Sequence, residues 1–507
     1  MALFGRPEYQ IGRGEVSEAR VEFPFLIGFV LVAAVSLLIF HSVVQIPSLT
    51  IALGVSLFLF GVTVFRVEWG VGFLVIAMLL SPEVASEKVG MGNRMLQLRY
   101  DDILIIVVFA GVFLKLVFEG SGTFWLPSPI NKGIVLYYSV CLFSSMLAFR
   151  RSLPLFDQSE AFFTLLKLAE YYMIFVLVGN AIRTYQQIKW QLAVFFVVGA
   201  IIACYGLYSK FFSSIDRVSA PFETGGTEPN TLGGYLVLVM CIAVAMYIKA
   251  PTKRMKVVMA CLAGLAFTPF LFTLSRASYL AWVMGLLVLG IAGKRPILIL
   301  LTALVLIFSQ SIMPPEVVER VNYTFQQGSG EPVAIGGMDT GLQVDKSTHE
   351  RIYVWKKVNY NLLVWPWFGG GVSWDRVLDS QYARVLIETG LFGFATFVFL
   401  QLQILRTTRE SHLWASDWVG KALGLGTFTA TAALIVHSFG TISFLIVRIM
   451  EPYWFLVSLA VVARHLAIQE YAQRAQPKAV PAAIVPLPPR TEPRLRRPAP
   501  SPSTRLG

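Results

Sequence analysis

Apolar runs long enough to cross a lipid bilayer recur from one end of this chain to the other, and they leave it few folds to adopt. Many cover about 17–25 residues, the length a helix needs to traverse a hydrocarbon core of roughly 30 Å. The runs are apolar on every side, whereas strands of a transmembrane barrel alternate apolar and polar residues. A barrel is therefore excluded and helices remain. Composition agrees, since 56% of the 507 residues are hydrophobic and 14% charged, a balance that fits poorly with soluble domains. The expected fold is all-α, a polytopic integral membrane helical bundle of about 12–14 transmembrane helices with one long external loop.

Fourteen candidate spans lie near 23–44, 49–65, 71–80, 103–118, 133–148, 161–178, 192–212, 231–248, 257–272, 278–291, 297–311, 383–405, 422–437 and 443–462. The third is short, and whether it crosses fully stays open at this point. Residues 1–20 are polar with scattered arginines, and no small-residue cleavage site follows the first run, so it reads as an uncleaved span and not as a signal peptide. Cys141, Cys204, Cys241 and Cys261 all fall inside apolar runs, without a disulfide framework or metal-ligand spacing.

The net charge of +12 is spread over short loops and the tail, not gathered into the one patch that nucleic acid would engage. No nucleic-acid partner is expected. With the amino terminus in the cytoplasm, alternation puts Lys249, Lys253, Arg254, Lys256, Lys294, Arg295, Arg406, Arg409 and the basic tail on the cytoplasmic side. That is the positive-inside pattern, and both termini are then cytoplasmic. Arg150 and Arg151 are its clearest exception.

The expected organisation is a cytoplasmic amino-terminal tail (1–22), amino-terminal transmembrane helices (23–212), a core (213–407) that includes an external loop (313–382), carboxy-terminal transmembrane helices (408–466) and a tail (467–507). The tail is rich in Pro and Arg, cannot bury a core and is expected to be disordered, with some attraction to anionic membrane lipid. In the external loop the stretch from about 326 to 341 reads as flexible, and the stretch around 349–363 has helical spacing. A long loop between helices is more often functional than incidental.

Four segments carry candidate chemistry. Arg276 sits between two adjoining apolar runs with almost no loop, where an arginine either snorkels to headgroups or binds an anion through its forked guanidinium. Arg351 and Trp355 are four apart on the helical part of the loop and share a face, with Lys356 and His349 nearby; a merely solvated helix explains them equally. Gly369, Gly370 and Gly371 allow a sharp turn that returns Asp379 to the membrane surface, where Asp379 either acts in the site or caps the next helix. No Gly-Lys-Ser/Thr follows, so this is not a nucleotide phosphate loop. Arg217, Glu228 and Asn230 lie on another external loop, where Glu228 and Asn230 either bind sugar hydroxyls or cap the following helix.

Several elements occur in order: Pro-Asn-Thr-Leu-Gly-Gly-Tyr at 229–235, Thr-Leu-Ser-Arg-Ala-Ser at 273–278, the loop with Arg351 and Trp355, the Pro-x-x-Gly-Gly-Gly turn from Pro366, and the run from Asp379 to Gly393. Together they resemble the O-antigen ligase and polymerase family of bacterial polytopic membrane proteins, over about 221–393. The resemblance implies a bundle related to C-type membrane glycosyltransferases in the bacterial inner membrane, working on its outer, periplasmic face in cell-envelope or exopolysaccharide synthesis. It implies an undecaprenyl-diphosphate-linked oligosaccharide as donor, a glycan, lipid or protein as acceptor, other envelope-polysaccharide proteins as partners, and inverting transfer without metal or cofactor. Arg276 and Arg351 would stabilise the departing diphosphate, with Arg217, Glu228, Asn230, Trp355, Lys356 and Tyr382 around the substrates. Ligases of this family carry His-Asn where this chain has Asp379 and Ser380. Asp379 would then be the general base, with His349 as second candidate, and polymerisation is favoured over ligation to lipid A-core. The rival expectation is a transporter of glycolipid or of a small anion such as bicarbonate; a third is a non-catalytic scaffold.

Overall fold

A computed structural model describes residues 47–81, 100–118, 125–153, 156–213, 217–219, 221, 228–308, 311, 314–322, 331–335, 338–344, 346–374 and 380–475. The expected first span, the amino-terminal tail and the end of the carboxy-terminal tail lie outside the described residues. Residues Met1–Ala467 form one compact unit and Ile468–Gly507 a second.

The chain is a multi-pass helical membrane protein. Its helices are α1 (Pro47–Phe65), α2 (Val67–Leu80), α3 (Tyr100–Phe118), α4 (Pro129–Arg150), α5 (Gln158–Ala181), α6 (Tyr185–Phe212), α7 (Pro229–Lys249), α8 (Lys253–Leu271), α9 (Arg276–Ala292), α10 (Pro296–Ile307), α11 (Pro315–Asn322), α12 (Lys346–Val364), α13 (Gln381–Trp414), α14 (Trp418–His437) and α15 (Val447–Ala475). Each of the other thirteen expected spans coincides with one of them. Among the described residues eight helices, α4 to α8 and α13 to α15, are long and apolar enough to cross a membrane. The short third span is a helix of 14 residues, about 21 Å at 1.5 Å per residue. That is less than a hydrocarbon core of roughly 30 Å.

The helix starts follow from the local sequence. Ser128, with Pro129 behind it, caps α4; the Asp157 carboxylate accepts the Ser159 and Glu160 amides at the start of α5; Thr184 and Gln187 form a capping box on α6. Each such cap satisfies amides that have no partner within the helix and is worth about 1 kcal/mol. At the centre α7 is apolar almost all round and buried along nearly its whole length. It packs on α8, α9 and α14, while α13 packs on α4 and α14.

Two departures from regular helix shape the end of the bundle where α7, α9 and α13 begin. The first is a break in α13 at Gly390, with φ 65° and ψ −163°. The turn 366–371 inserts into it. Gly370 and Gly371 donate their amides to the carbonyls of Ile387 and Glu388, both at 2.9 Å, while the carbonyls of Pro366 and Trp367 accept the amides of Leu391 (2.8 Å) and Phe392 (3.1 Å). Every one of these groups would otherwise face an apolar interior unpaired. A Cβ on Gly390 would lie 2.5 Å from the Trp367 carbonyl carbon, so both the backbone angle and the close approach require glycine there.

The second departure moves the start of the last span. Helix α15 begins at Val447, not at 443, and residues 438–446 are non-helical. The Tyr171 hydroxyl, at the middle of the 24-residue α5, donates to the Leu445 carbonyl at 3.0 Å. The connection therefore enters the bundle. Irregular backbone is tolerated at that depth because protein groups satisfy it.

In the loop expected to be external, the stretch expected to be flexible instead holds β1 (Glu331–Ile335) and β2 (Met338–Val344), which pair antiparallel with Glu331 opposite Val344 and Ile335 opposite Met338. This hairpin is a small exception to the all-α expectation. The expected helix around 349–363 is α12.

Gly390→Ala is expected to lower stability by at least about 1–3 kcal/mol, the cost of a strained backbone. A lower melting temperature in detergent checks it; an unchanged one means that the turn and the break are not coupled.

Candidate functional site at one end of the bundle

The Thr-Leu-Ser-Arg-Ala-Ser segment makes the tight turn from α8 into α9. Leu274 takes φ 51°, and the Arg217 guanidinium donates to the Thr273 carbonyl (3.2 Å) and the Leu274 carbonyl (3.3 Å). Arg217 thus braces the turn that presents Arg276. Ser275 caps α9 through the Ser278 amide, and Arg276 is the first residue of the helix, half-buried. A helix amino terminus carries partial positive charge, so Arg276 adds a full charge where an anion is already favoured.

A buried polar relay runs inward from this turn. The Ser275 hydroxyl donates to Asn230 Oδ1 (2.6 Å) and the Ser278 hydroxyl to Ser275 Oγ (2.7 Å). His437 Nε2 lies 3.0 Å from Ser278 Oγ, and His437 Nδ1 lies 2.8 Å from Ser443 Oγ. Since the Ser278 proton is used toward Ser275, Nε2 carries the imidazole proton and Nδ1 accepts from Ser443, which assigns one neutral tautomer. Gly233 makes room, because a Cβ there would lie 2.2 Å from Ser278 Oγ. The glycines of the 229–235 segment and the serines of the 273–278 segment are thus packed against each other.

The same carboxy terminus of α14 holds α13. Gln381 donates its amide to the Ser438 carbonyl at 3.1 Å, and the Tyr382 hydroxyl donates to the Ile435 carbonyl. Tyr382 is half-buried, with its ring near Phe394, Phe397 and Phe439. Beyond it Glu388 is buried, paired with Arg384 at 2.8 Å, and accepts the Ser373 amide at 2.8 Å. Ser144 of α4 reaches the Glu388 carbonyl at 2.7 Å and also bonds the Phe368 carbonyl.

Arg217, Asn230 and Arg276 are therefore brought together, and Tyr382 shares their anchor on α14. Glu228 stands at the N-cap position of α7 but makes no cap bond to the backbone; its carboxylate accepts the Thr231 hydroxyl at 3.1 Å. Asn230 is not a cap either, since its side-chain oxygen is turned to Ser275. The N-cap position of α13 falls on Ser380. Asp379 itself lies outside the described residues, as do the side chains of Arg351 and His349 on α12. Trp355 and Lys356 are exposed on α12, which packs on α13 through Val354 and Val358.

Sequence reasoning missed His437 and a second polar cluster. Lys167 on α5 pairs with Asp102 and, at 2.9 Å, with Glu170. Asp101, Glu451 and Arg448 are buried, and Arg448 donates to the Leu79 carbonyl at 3.0 Å. Asp101, Asp102 and Glu451 bring carboxylate oxygens within 4.8 Å of one another, the one group among the described residues spaced to share a metal ion. The signal was present as charged pairs three apart inside apolar runs, Lys167 with Glu170 and Arg448 with Glu451. Such residues in a span are functional candidates by default.

No protein-family model matches the chain, and no curated protein matches it.

His437→Ala leaves the Ser443 hydroxyl without its acceptor in a dry interior and is expected to cost about 1–3 kcal/mol. Lys167→Met is expected to cost about 3 kcal/mol by leaving carboxylates without their counter-charge, with most of it recovered when Asp102→Asn and Glu170→Gln are added. Thermal unfolding in detergent reads both; a Lys167→Met variant as stable as the parent would remove the electrostatic account of the cluster.

Proposed function

We propose that this protein is a membrane glycosyltransferase of the O-antigen ligase and polymerase type, taking an undecaprenyl-diphosphate-linked oligosaccharide as donor on the outer face of the bacterial inner membrane. The observation that carries the reading is Arg276 on the first turn of α9, held by the Arg217-braced turn and the Ser275–Ser278–His437 relay. A guanidinium on the first turn of a helix whose start is held in place is suited to a diphosphate leaving group.

In the proposed reaction an acceptor hydroxyl loses its proton to Asp379 and attacks the anomeric carbon. The bond from that carbon to the diphosphate oxygen breaks with inversion, and the lipid diphosphate leaves with its new charge toward Arg276 and Arg351. Asn230, Glu228, Trp355, Lys356 and Tyr382 are assigned to the two glycans, and polymerisation is favoured over ligation to lipid A-core.

The transporter reading, for a glycolipid or a small anion such as bicarbonate, has one observation in its favour. Lys167 and Glu170 lie near the middle of α5 and meet charged residues from α3 and α15 in the bundle interior, where transporters place ion pathways.

Purified protein given an undecaprenyl-diphosphate oligosaccharide with a chelator is expected to form a ladder of lengthened lipid-linked chains. Arg276→Ala, Arg351→Ala and Asp379→Asn are each expected to reduce it by roughly a hundredfold or more, the scale of losing one charge-stabilising group or the base. Absence of product from competent donor and acceptor, together with solute uptake in liposomes that Glu170→Gln abolishes, would replace the enzyme with the transporter.

A further inference from the structure

Helix α12 has two faces. Val354 and Val358 pack on Ala383 and Ile387 of α13. The opposite face carries Tyr353, Lys356, Tyr360 and Leu363 at helical spacing, and Trp367 follows just past its end; Tyr360 is 69% and Leu363 77% exposed. So much aromatic and aliphatic surface on an external helix is unusual for a face meant for water.

This surface is continuous with the lipid-facing wall of the bundle. The Trp367 ring lies 5.6 Å from Phe392 of α13, Phe368 stacks on Phe392 at 5.1 Å, and Phe368 meets Phe143 of α4 at 4.8 Å. Phe392 and Phe143 are themselves exposed on spanning helices. The turn that follows α12 therefore stands level with Phe392, just past the break in α13, and with Phe143, about two turns before the carboxy-terminal end of α4. Arg150 and Arg151, the basic pair at odds with the positive-inside pattern, are exposed at the same place, and the Arg151 guanidinium lies over the Trp365 ring at 4.3 Å. Tyrosine and tryptophan with basic residues beside them are the side chains that settle at the membrane–water boundary.

We propose that the exposed face of α12 lies on the bilayer surface, with Tyr353, Tyr360, Leu363 and Trp367 among the headgroups and upper acyl chains and with Arg150 and Arg151 on anionic phospholipid phosphates. The helix is then a float that sets the height of the external loop above the membrane. This goes beyond the proposed activity and does not depend on it.

The test uses full-length protein with Cys204→Ser and Cys261→Ser, carrying an environment-sensitive fluorophore at Tyr360→Cys or Leu363→Cys, in vesicles of phosphatidylcholine with or without phosphatidylglycerol. Spin-labelled lipid is expected to quench the fluorophore, and aqueous iodide is expected to be excluded from it. Replacing Arg150 and Arg151 by glutamine is expected to weaken the lipid quenching in the phosphatidylglycerol vesicles and leave it unchanged in pure phosphatidylcholine. Free quenching by iodide without quenching by lipid overturns the proposal, and so does protection from both, which would mean that protein covers this face. Equal behaviour of the glutamine variant in both vesicles overturns the assignment of the basic residues to anionic lipid.

Discussion

The four backbone hydrogen bonds between the turn 366–371 and the break in α13 are the constraint on which the geometry of this end of the bundle depends. A helix interrupted in an apolar environment leaves amides and carbonyls that have no solvent to turn to. The turn supplies their partners from its own backbone, and the Ser144 hydroxyl lies between one of the same carbonyls, that of Glu388, and the Phe368 carbonyl of the turn. Because the turn directly follows α12, the lock also settles where the long loop rejoins the bundle. The run Glu388-Thr-Gly390 and the three glycines at 369–371 are the two halves of one joint.

The carboxy terminus of α14 plays the corresponding part for the helices around it. His437 reaches the start of α9 through Ser278, and the Ser438 and Ile435 carbonyls hold the start of α13. Arg276 and Tyr382 come from segments more than a hundred residues apart and are placed by one anchor. A buried imidazole is costly unless both nitrogens are bonded, and here both are. The relay therefore makes the position of the Arg276 turn a property of the packed bundle and not of a flexible loop.

The interior cluster poses a different problem. Four carboxylates, from Asp101, Asp102, Glu170 and Glu451, lie inside an apolar bundle with Lys167, which pairs with Asp102 and Glu170, while the buried Arg448 donates to the Leu79 carbonyl. The first turn of α3 contributes here, since Asp101 and Asp102 lie beside its amino terminus and its dipole favours acidic groups there. This arrangement needs the irregular segment 438–446, which delivers the start of α15 to the middle of α5. The polar end and the polar interior are thus joined by the same stretch of chain, from His437 to Glu451.

The helical membrane fold was legible in the sequence because a segment that must satisfy its own backbone in lipid announces itself by length and hydropathy alone. The expected spans from 49–65 onward coincide with helices, and the caps at Asp157, Thr184 and Thr252 can be read residue by residue. The hairpin at 331–344 was not legible, since Gly-rich polar stretches have similar composition whether ordered or not. Nor was the late start of α15, because Ser443 to Ile446 are as apolar as a helix and only the Tyr171 contact reveals their path. Of the candidate site, the sequence by itself determined which residues carry charge or hydroxyls near span ends, Arg217, Asn230, Arg276 and Tyr382 among them. Tertiary structure alone decided their use: Arg217 on carbonyls, Asn230 on Ser275, and His437 as the link among three helices. Hydropathy is a property of consecutive residues, whereas a hydrogen bond between residues 278 and 437 exists only once the helices have packed.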